Sequence, residues 1–232
     1  MIDIRRSEER GPSQLSWLNS RHTFSFGHYY DPEHMGVSVL RVLNDDSVIP
    51  GGGFATHSHQ DMEIISYVLS GVIEHKDNMG NIERLPAGEF QLMSAGTGVT
   101  HSEYNPSASE SLRFLQIWVV PNELGIAPGY QQKGFPEHTG RALVVSPDGR
   151  DGTLRIHQDV YLEHVRLVPG ESLAVAAEHD RMHFLHLVAG ELEANDQRIF
   201  AGDGVTMAGV DLKLRATARA EGLLFNLPGA DR

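Results

Sequence analysis

Apolar residues in this chain fall in short runs separated by turn residues. "GVSVLRVL" (36–43), "EIISYVLSG" (63–71), "LRFLQIWVV" (112–120) and "RALVVS" (141–146) lead to "VYLEHVRLV" (160–168) and "HFLHLVAGEL" (183–192). Runs rich in Val, Ile, Leu and aromatics, bounded by Gly and Pro, predict β-strands. No segment sustains a helical period, so the pattern predicts an all-β architecture of barrels or sandwiches with short helices only.

The pattern also repeats. "LSGVIEHKDNMGNIERLPAGEFQLMSAG" (69–96) and "LVAGELEANDQRIFAGDGVTMAG" (187–209) share an apolar strand, a turn glycine, a polar hairpin and Ala-Gly-acid opening the next strand. Two copies of one β-barrel unit follow. The polar, glycine-bearing stretch "GYQQKGFPEHTG" (129–140) serves as the link. The expected domains are residues 1–134 and 135–232.

Composition narrows the function. Acidic residues outnumber basic ones by 31 to 19, a formal net charge of -12. Such a field repels phosphate backbones and anionic lipids, so neither a nucleic-acid partner nor a membrane is expected. The start "MIDIRRSEERGPSQ" carries no apolar signal-like core, and the expected location is the cytoplasm. With no cysteine and 13 histidines, any metal site must use imidazoles and carboxylates.

Two stretches concentrate those donors. "GGGFATHSHQDMEIISYVLSG" (51–71) places His57 and His59 two residues apart, and "SAGTGVTHSEYNP" does the same with His101 and Glu103. Residues i and i+2 of a strand share a face. A lone His-x-His is commonly a packing coincidence. Two such pairs, each beside glycines, predict one divalent transition metal, with Fe, Mn, Ni, Cu, Co or Zn all compatible with the donors. Strand parity admits both Glu63 and Glu103 as the carboxylate. Aligning Gly190 with Gly71 and Gly209 with Gly96 puts Ala176, Glu178, Leu214 and Ala216 at the donor positions of the second copy, which is therefore expected to hold no metal.

Other residues support ordinary readings. Phe24 and Phe26 in "HTFSFGHYYDP", with Phe90 and Met93 on a predicted strand, are candidates for a pocket wall, although strand aromatics more often fill a core. Trp118 falls under the same reading. His22, His28 and His34 lack ligand spacing, His75 is expected at a solvated hairpin tip, and His183 and His186 read as packed or surface residues.

"G-x5-HSH-x3-E-x7-G" from Gly51 to Gly71 resembles the first cupin motif, with one residue more than usual before Gly71, and "G-x5-PAG" from Gly80 to Gly88 resembles the start of the second. "HTFSFGHYYDPEHMG", "FATHSHQDMEIISYVLSG", "PAGEFQLMSAGTGVTHSEYNPS" and "SPDGRDGTLRIHQD" are similar to the pirin family, above all to its bacterial quercetin 2,3-dioxygenase branch. The resemblance implies a bicupin fold with one metal, usually iron(II), in the N-terminal barrel. It implies His57, His59, His101 and Glu103 as ligands, leaving Glu63 as a neighbour of the ligand shell, a pocket acid or an occasional ligand. The implied reaction binds a flavonol such as quercetin, with Glu103 as ligand or as base for its 3-hydroxyl, and cleaves it with O2 to a depside and carbon monoxide. A different implication is a redox-responsive metal protein acting through a protein partner that the sequence does not specify. A third is another cupin reaction such as isomerisation or hydrolysis.

Overall fold

The computed structural model describes residues 1–229. Its strands are β1 (Ile2–Arg5), β2 (Gly11–Gln14), β3 (Leu18–His22), β4 (Leu40–Val48), β5 (Gly53–His59), β6 (Glu63–Ser70), β7 (Val72–Asp77) and β8 (Ile82–Pro86). They continue with β9 (Glu89–Ser94), β10 (Val99–Tyr104), β11 (Leu112–Val119), β12 (Gly129–Gly134), β13 (Gly140–Ser146), β14 (Leu154–Arg155) and β15 (Tyr161–Leu167). The last are β16 (Ser172–Val175), β17 (Arg181–Ala189), β18 (Glu191–Ala194), β19 (Gln197–Phe200), β20 (Gly204–Ala208), β21 (Leu212–Ala216) and β22 (Ala220–Pro228). Among the described residues the helical elements are two 3-10 turns, Ser7–Glu9 and Arg150–Gly152, as the periodicity predicts. No helix among the described residues is long and apolar enough to cross a membrane.

The chain forms two compact units. The N-terminal unit comprises Gly11–Phe135 with Leu154–Gln158, and the C-terminal unit comprises Met1–Arg10, Pro136–Thr153 and the chain from Asp159 onward. The division expected at 134/135 contains neither exchange. The first ten residues join the C-terminal unit because β1 pairs along β20, Ile2 opposite Met207 and Ile4 opposite Val205. In the N-terminal unit the corresponding place beside β9 is filled by β12. Long-range edge pairing of this kind leaves no local pattern in the sequence.

Each unit sets a large sheet and a four-stranded sheet. In the N-terminal unit the orders are β12-β9-β6-β11-β4-β3-β2 and β5-β10-β7-β8. In the C-terminal unit the order β1-β20-β17-β22-β15-β13 accompanies β16-β21-β18-β19. The repeat seen in the sequence is thus a repeat of topology. Its turn glycines, Gly71 and Gly190, both take positive φ (80° and 83°), and a Cβ on Gly190 would lie 2.0 Å from the Arg219 carbonyl oxygen.

Apolar runs become the central strands. In β6 the six residues Glu63–Val68 are all buried, so its apolar run does not alternate. One end of the N-terminal unit is closed by Leu18, Val48, Val68, Ile73, Leu85, Leu112 and Phe114, with Trp17 and Phe54 packed against them. A smaller cluster joins Ile64, Met93, Ala95 and Val99 to Met62 and Trp118. Each fully buried Val, Leu, Ile, Phe or Met among them contributes about 1.5–3 kcal/mol. Between the two clusters the interior is polar.

Candidate metal centre

The polar interior is built by register. Across β5 and β10, His101 stands opposite His57, and Val99 opposite His59. Across β10 and β7, His101 stands opposite Asp77, and Glu103 opposite His75. Cross-strand partners share a face, so His57, His59, His101, Glu103, His75 and Asp77 all point to one side of this sheet. The register shifts between His101 and Glu103, with one extra residue on β5, so that Glu103 meets Phe54. The approach depends on Gly53: a Cβ there would lie 2.4 Å from the Glu103 carbonyl oxygen and 2.6 Å from Tyr104 Cα.

Three imidazoles converge. Ring centres are 4.7 Å apart for His57 and His59, 4.6 Å for His57 and His101, and 4.9 Å for His59 and His101. One donor atom from each lies within 4.8 Å of the others. His57 donates from Nδ1 to the Ala55 carbonyl at 2.8 Å, which leaves Nε2 as the lone pair. His59 Nε2 and both ring nitrogens of His101 are buried without a hydrogen-bond partner. Burial, then the proximity of His57, lowers the His59 pKa to about 4. Burial followed by His57, His59 and His75 lowers that of His101 to about 3. These imidazoles are therefore neutral at pH 7, the metal-binding form. Orphaned, neutral, convergent nitrogens fit a divalent transition metal.

Glu103 lies beside them, 4% exposed. Its Oε1 accepts from Gln91 Nε2 and Ser66 Oγ at 3.3 Å each. Burial outweighs both bonds and raises its pKa to about 7. Gln91, Ser66, Gln116, Asn44 and His22 are successive cross-strand neighbours on β9, β6, β11, β4 and β3, all buried. One row of the large sheet thus faces Glu103 with polar groups. One step along β4, buried Asp46 stands opposite Ser20.

His75 is a correction. It is fully buried, not at a solvated tip, and a second three-donor group consists of His75, His101 and Glu103. The hairpin tip that follows is polar, but β7 turns His75 inward on the parity of Ile73. The signal was the pair His75-x-Asp77, spaced like the other two.

Glu63 is placed differently from the parity expectation. After His59 the chain turns through Asp61 at φ 48°, and Glu63 opens β6 in the other sheet. It is buried, accepts from Ser94 Oγ at 3.0 Å and His157 N at 3.2 Å, and lies 3.4 Å from His157 Nδ1. Burial raises its pKa, and the bonds from His157 and Ser94 oppose the shift. Neither partner belongs to the histidine cluster.

Of the pocket candidates, Phe26 reaches the centre through Trp118: Phe26 meets Trp118 edge-on at 5.3 Å, and Trp118 meets His59 edge-on at 5.0 Å. Met93 shares an apolar cluster with Trp118. Phe90 stacks on Tyr67 at 4.2 Å and Phe24 is 3% exposed, so both are core residues. A shallow cleft of about 400 Å³ opens beside His59, lined by Ser58, Gln60, Asn78, Gly98 and Thr100.

Comparison with known proteins agrees with this architecture. Residues 4–119 match the Pirin family and residues 143–227 match the Quercetinase C-terminal cupin domain. The chain is 48% identical over 229 residues to "Quercetin 2,3-dioxygenase" of Escherichia coli (strain K12), covering 98% of this chain and 99% of that one. It is 41% identical over 208 residues to a "Pirin-like protein" of Caulobacter vibrioides, covering 88% and 89% of the two chains. Among solved structures, the bacterial pirin YhhW of Escherichia coli in complex with nickel(II) superposes with a TM-score of 0.96 at 47% identity, over 99% of this chain and 100% of that one. Two cupin domains over nearly the whole length make this chain a member of the pirin family.

Proposed function

We propose that this chain is a metal-dependent dioxygenase that opens a flavonol such as quercetin with O2, giving a depside and carbon monoxide. His57, His59, His101 and Glu103 are the proposed ligands, and iron(II) the proposed metal. The observation that carries the reading is the convergence of His57, His59 and His101, with His59 Nε2 and both His101 nitrogens buried without a partner, beside the buried carboxyl of Glu103. The names of the full-length relatives support the substrate class.

When bound, the metal would lower the pKa of a substrate hydroxyl and provide a site for O2 chemistry. The protein supplies the rest. Glu103, whose pKa burial raises in the absence of an ion, is the group that would take the 3-hydroxyl proton onto a carboxylate oxygen. Gln91 and Ser66 fix its orientation through Oε1. Trp118 and Phe26 form an aromatic wall next to His59 for a planar ring system, and their apolar surface excludes water from the opened ring.

The test is to load metal-free protein with Fe(II) anaerobically, add quercetin and O2, and measure carbon monoxide. Metal-dependent release that disappears in His101→Ala is the expected result. Fully metallated protein that releases none overturns the flavonol reading and leaves metal sensing through a protein partner as the better account.

A further inference from the structure

Three neighbouring strands of the small N-terminal sheet each turn an alternate-residue pair to the same face: His57/His59 on β5, His101/Glu103 on β10 and His75/Asp77 on β7. The metal centre uses the first two. The third is just as buried and has no role in the proposed reaction.

Its geometry is specific. His75 Nε2 lies 3.0 Å from Asp77 Oδ2, and both side chains are 0% exposed. Asp77 cannot swing away, because its carboxylate accepts from Asn81 Nδ2 at 2.7 Å and from the backbone N–H groups of Met79 (2.9 Å) and Asn81 (3.0 Å). Tyr130 covers the His75 ring at 4.6 Å. With Asp77 accepting from Nε2–H, the lone pair of His75 sits on Nδ1, and Nδ1 is buried without a partner.

The complementary orphan is next door. A metal-bound imidazole uses one nitrogen for the ion and donates its other N–H to an oriented acceptor. His57 has such an acceptor in the Ala55 carbonyl, whereas neither nitrogen of His101 has one. The His75 and His101 ring centres are 5.3 Å apart. One nitrogen of each ring lies within 4.8 Å of the other, outside hydrogen-bond reach as the rings stand. Because two imidazoles joined in line by one N–H···N bond of ~3 Å have centres about 5 Å apart, a small ring shift closes it.

We infer that His75, held by Asp77, is the acceptor for the non-ligating N–H of His101, a positioning residue that completes a carboxylate–imidazole–imidazole chain behind the metal. The inference rests on the metal-centre reading and concerns residues that reading does not use.

The experiment titrates metal-free protein with Co(II), following heat of binding and the visible spectrum, for wild type, His75→Leu, His75→Asn and His57→Ala. Leu and Asn have nearly the same shape, but only Asn keeps an acceptor at the place of Nδ1. His75→Leu is expected to bind Co(II) about 10- to 100-fold more weakly with shifted visible bands, and His75→Asn to recover most of the affinity and the wild-type bands. Wild-type affinity in His75→Leu, or equal losses in the Leu and Asn variants, overturns the inference. If His75→Leu matches wild type while His57→Ala loses Co(II), the metal centre survives and only the role of His75 falls. If His57→Ala itself binds as wild type, the metal centre falls and the inference with it.

Discussion

In the N-terminal unit, strands β5, β10 and β7 bring His57, His101, Glu103 and His75 to one face; in the C-terminal unit, β16, β21 and β18 occupy the same places in their sheet. Register supplies the match. Val175 stands opposite Leu212 as His57 stands opposite His101, and Ala194 opposite Leu214 as His75 stands opposite Glu103. The facing sheet changes likewise: Ser66, Gln91, Gln116 and Asp46 correspond to Leu185, Val205, Leu224 and Val165. All eight of the C-terminal residues belong to one apolar cluster. One topology therefore serves two interiors. The scaffold needs only an apolar filling to fold, and the polar filling of the N-terminal unit sacrifices stability that a metal-binding function explains.

Exchanging one residue between the two interiors should separate folding from function. The His101 ring makes no hydrogen bond as it stands, so His101→Leu, the Leu212 counterpart, breaks none and leaves only the already unpaired His75 Nδ1 beside an apolar group. Metal affinity should fall at least a thousandfold, read by Co(II) titration. The metal-free variant should gain roughly 1–3 kcal/mol from the apolar side chain, read by urea unfolding. The reverse change, Leu212→His, should destabilise by about 3 kcal/mol or more, because an imidazole enters an apolar cluster without a partner. A metal-free His101→Leu less stable than wild type would break the comparison.

Asp46 sharpens it through pH. Burial, and then the proximity of Asp45 and Glu103, raises its pKa from 3.8 to about 7. Below about pH 4 the folded and unfolded chains both hold this proton. Between about 4 and 7 only the folded chain does, so its contribution to stability is lost as pH rises through that window. Asp46→Asn should remove a decline of order 2–4 kcal/mol between pH 4 and 8 in metal-free protein. Glu103, shifted in the same direction, leaves a residual slope in the variant. Urea midpoints at the two ends of the window check this. Equal slopes in the two proteins would mean that Asp46 is ionised in the folded interior.

The two histidine-bearing pairs and the repeat were legible because both are local: alternation along a strand and turn glycines at fixed offsets. What escaped the sequence is non-local. His75 sits in a hairpin whose tip is polar, and although its spacing with Asp77 is a local signal, the pairing with Glu103 on β10 is what brings it to the metal-centre face. The second copy's donor positions were assigned to Ala176, Glu178, Leu214 and Ala216. The register instead puts Val175 opposite Leu212 and moves the β21 positions two residues earlier, to Leu212 and Leu214, so that the lone carboxylate of the sequence alignment, Glu178, no longer stands at a donor position. Ser66, Gln91 and Gln116 sit in strands whose apolar neighbours hide them, and their shared row exists only across three paired strands.

Glu63 gives the smallest expected effect and the finest distinction between the two interiors. Its C-terminal counterpart is Met182, opposite Leu227 as Glu63 is opposite Val119. A carboxylate here thus replaces an apolar residue, as at the metal centre, but its partners are Ser94 and His157 of the segment Leu154–Gln158. In Glu63→Gln the amide oxygen still accepts from Ser94 and the His157 N–H, and only the 3.4 Å approach to His157 Nδ1 is lost. Stability should change by about 1 kcal/mol or less, since a partly exposed histidine is screened by solvent. Co(II) affinity should stay within about twofold of wild type, whereas Glu103→Gln should lose at least about tenfold, the loss of a charged ligand. A tenfold loss in Glu63→Gln would return that carboxylate to the metal and show that polar substitutions on the large sheet, and not only those on β5, β10 and β7, were made for the ion.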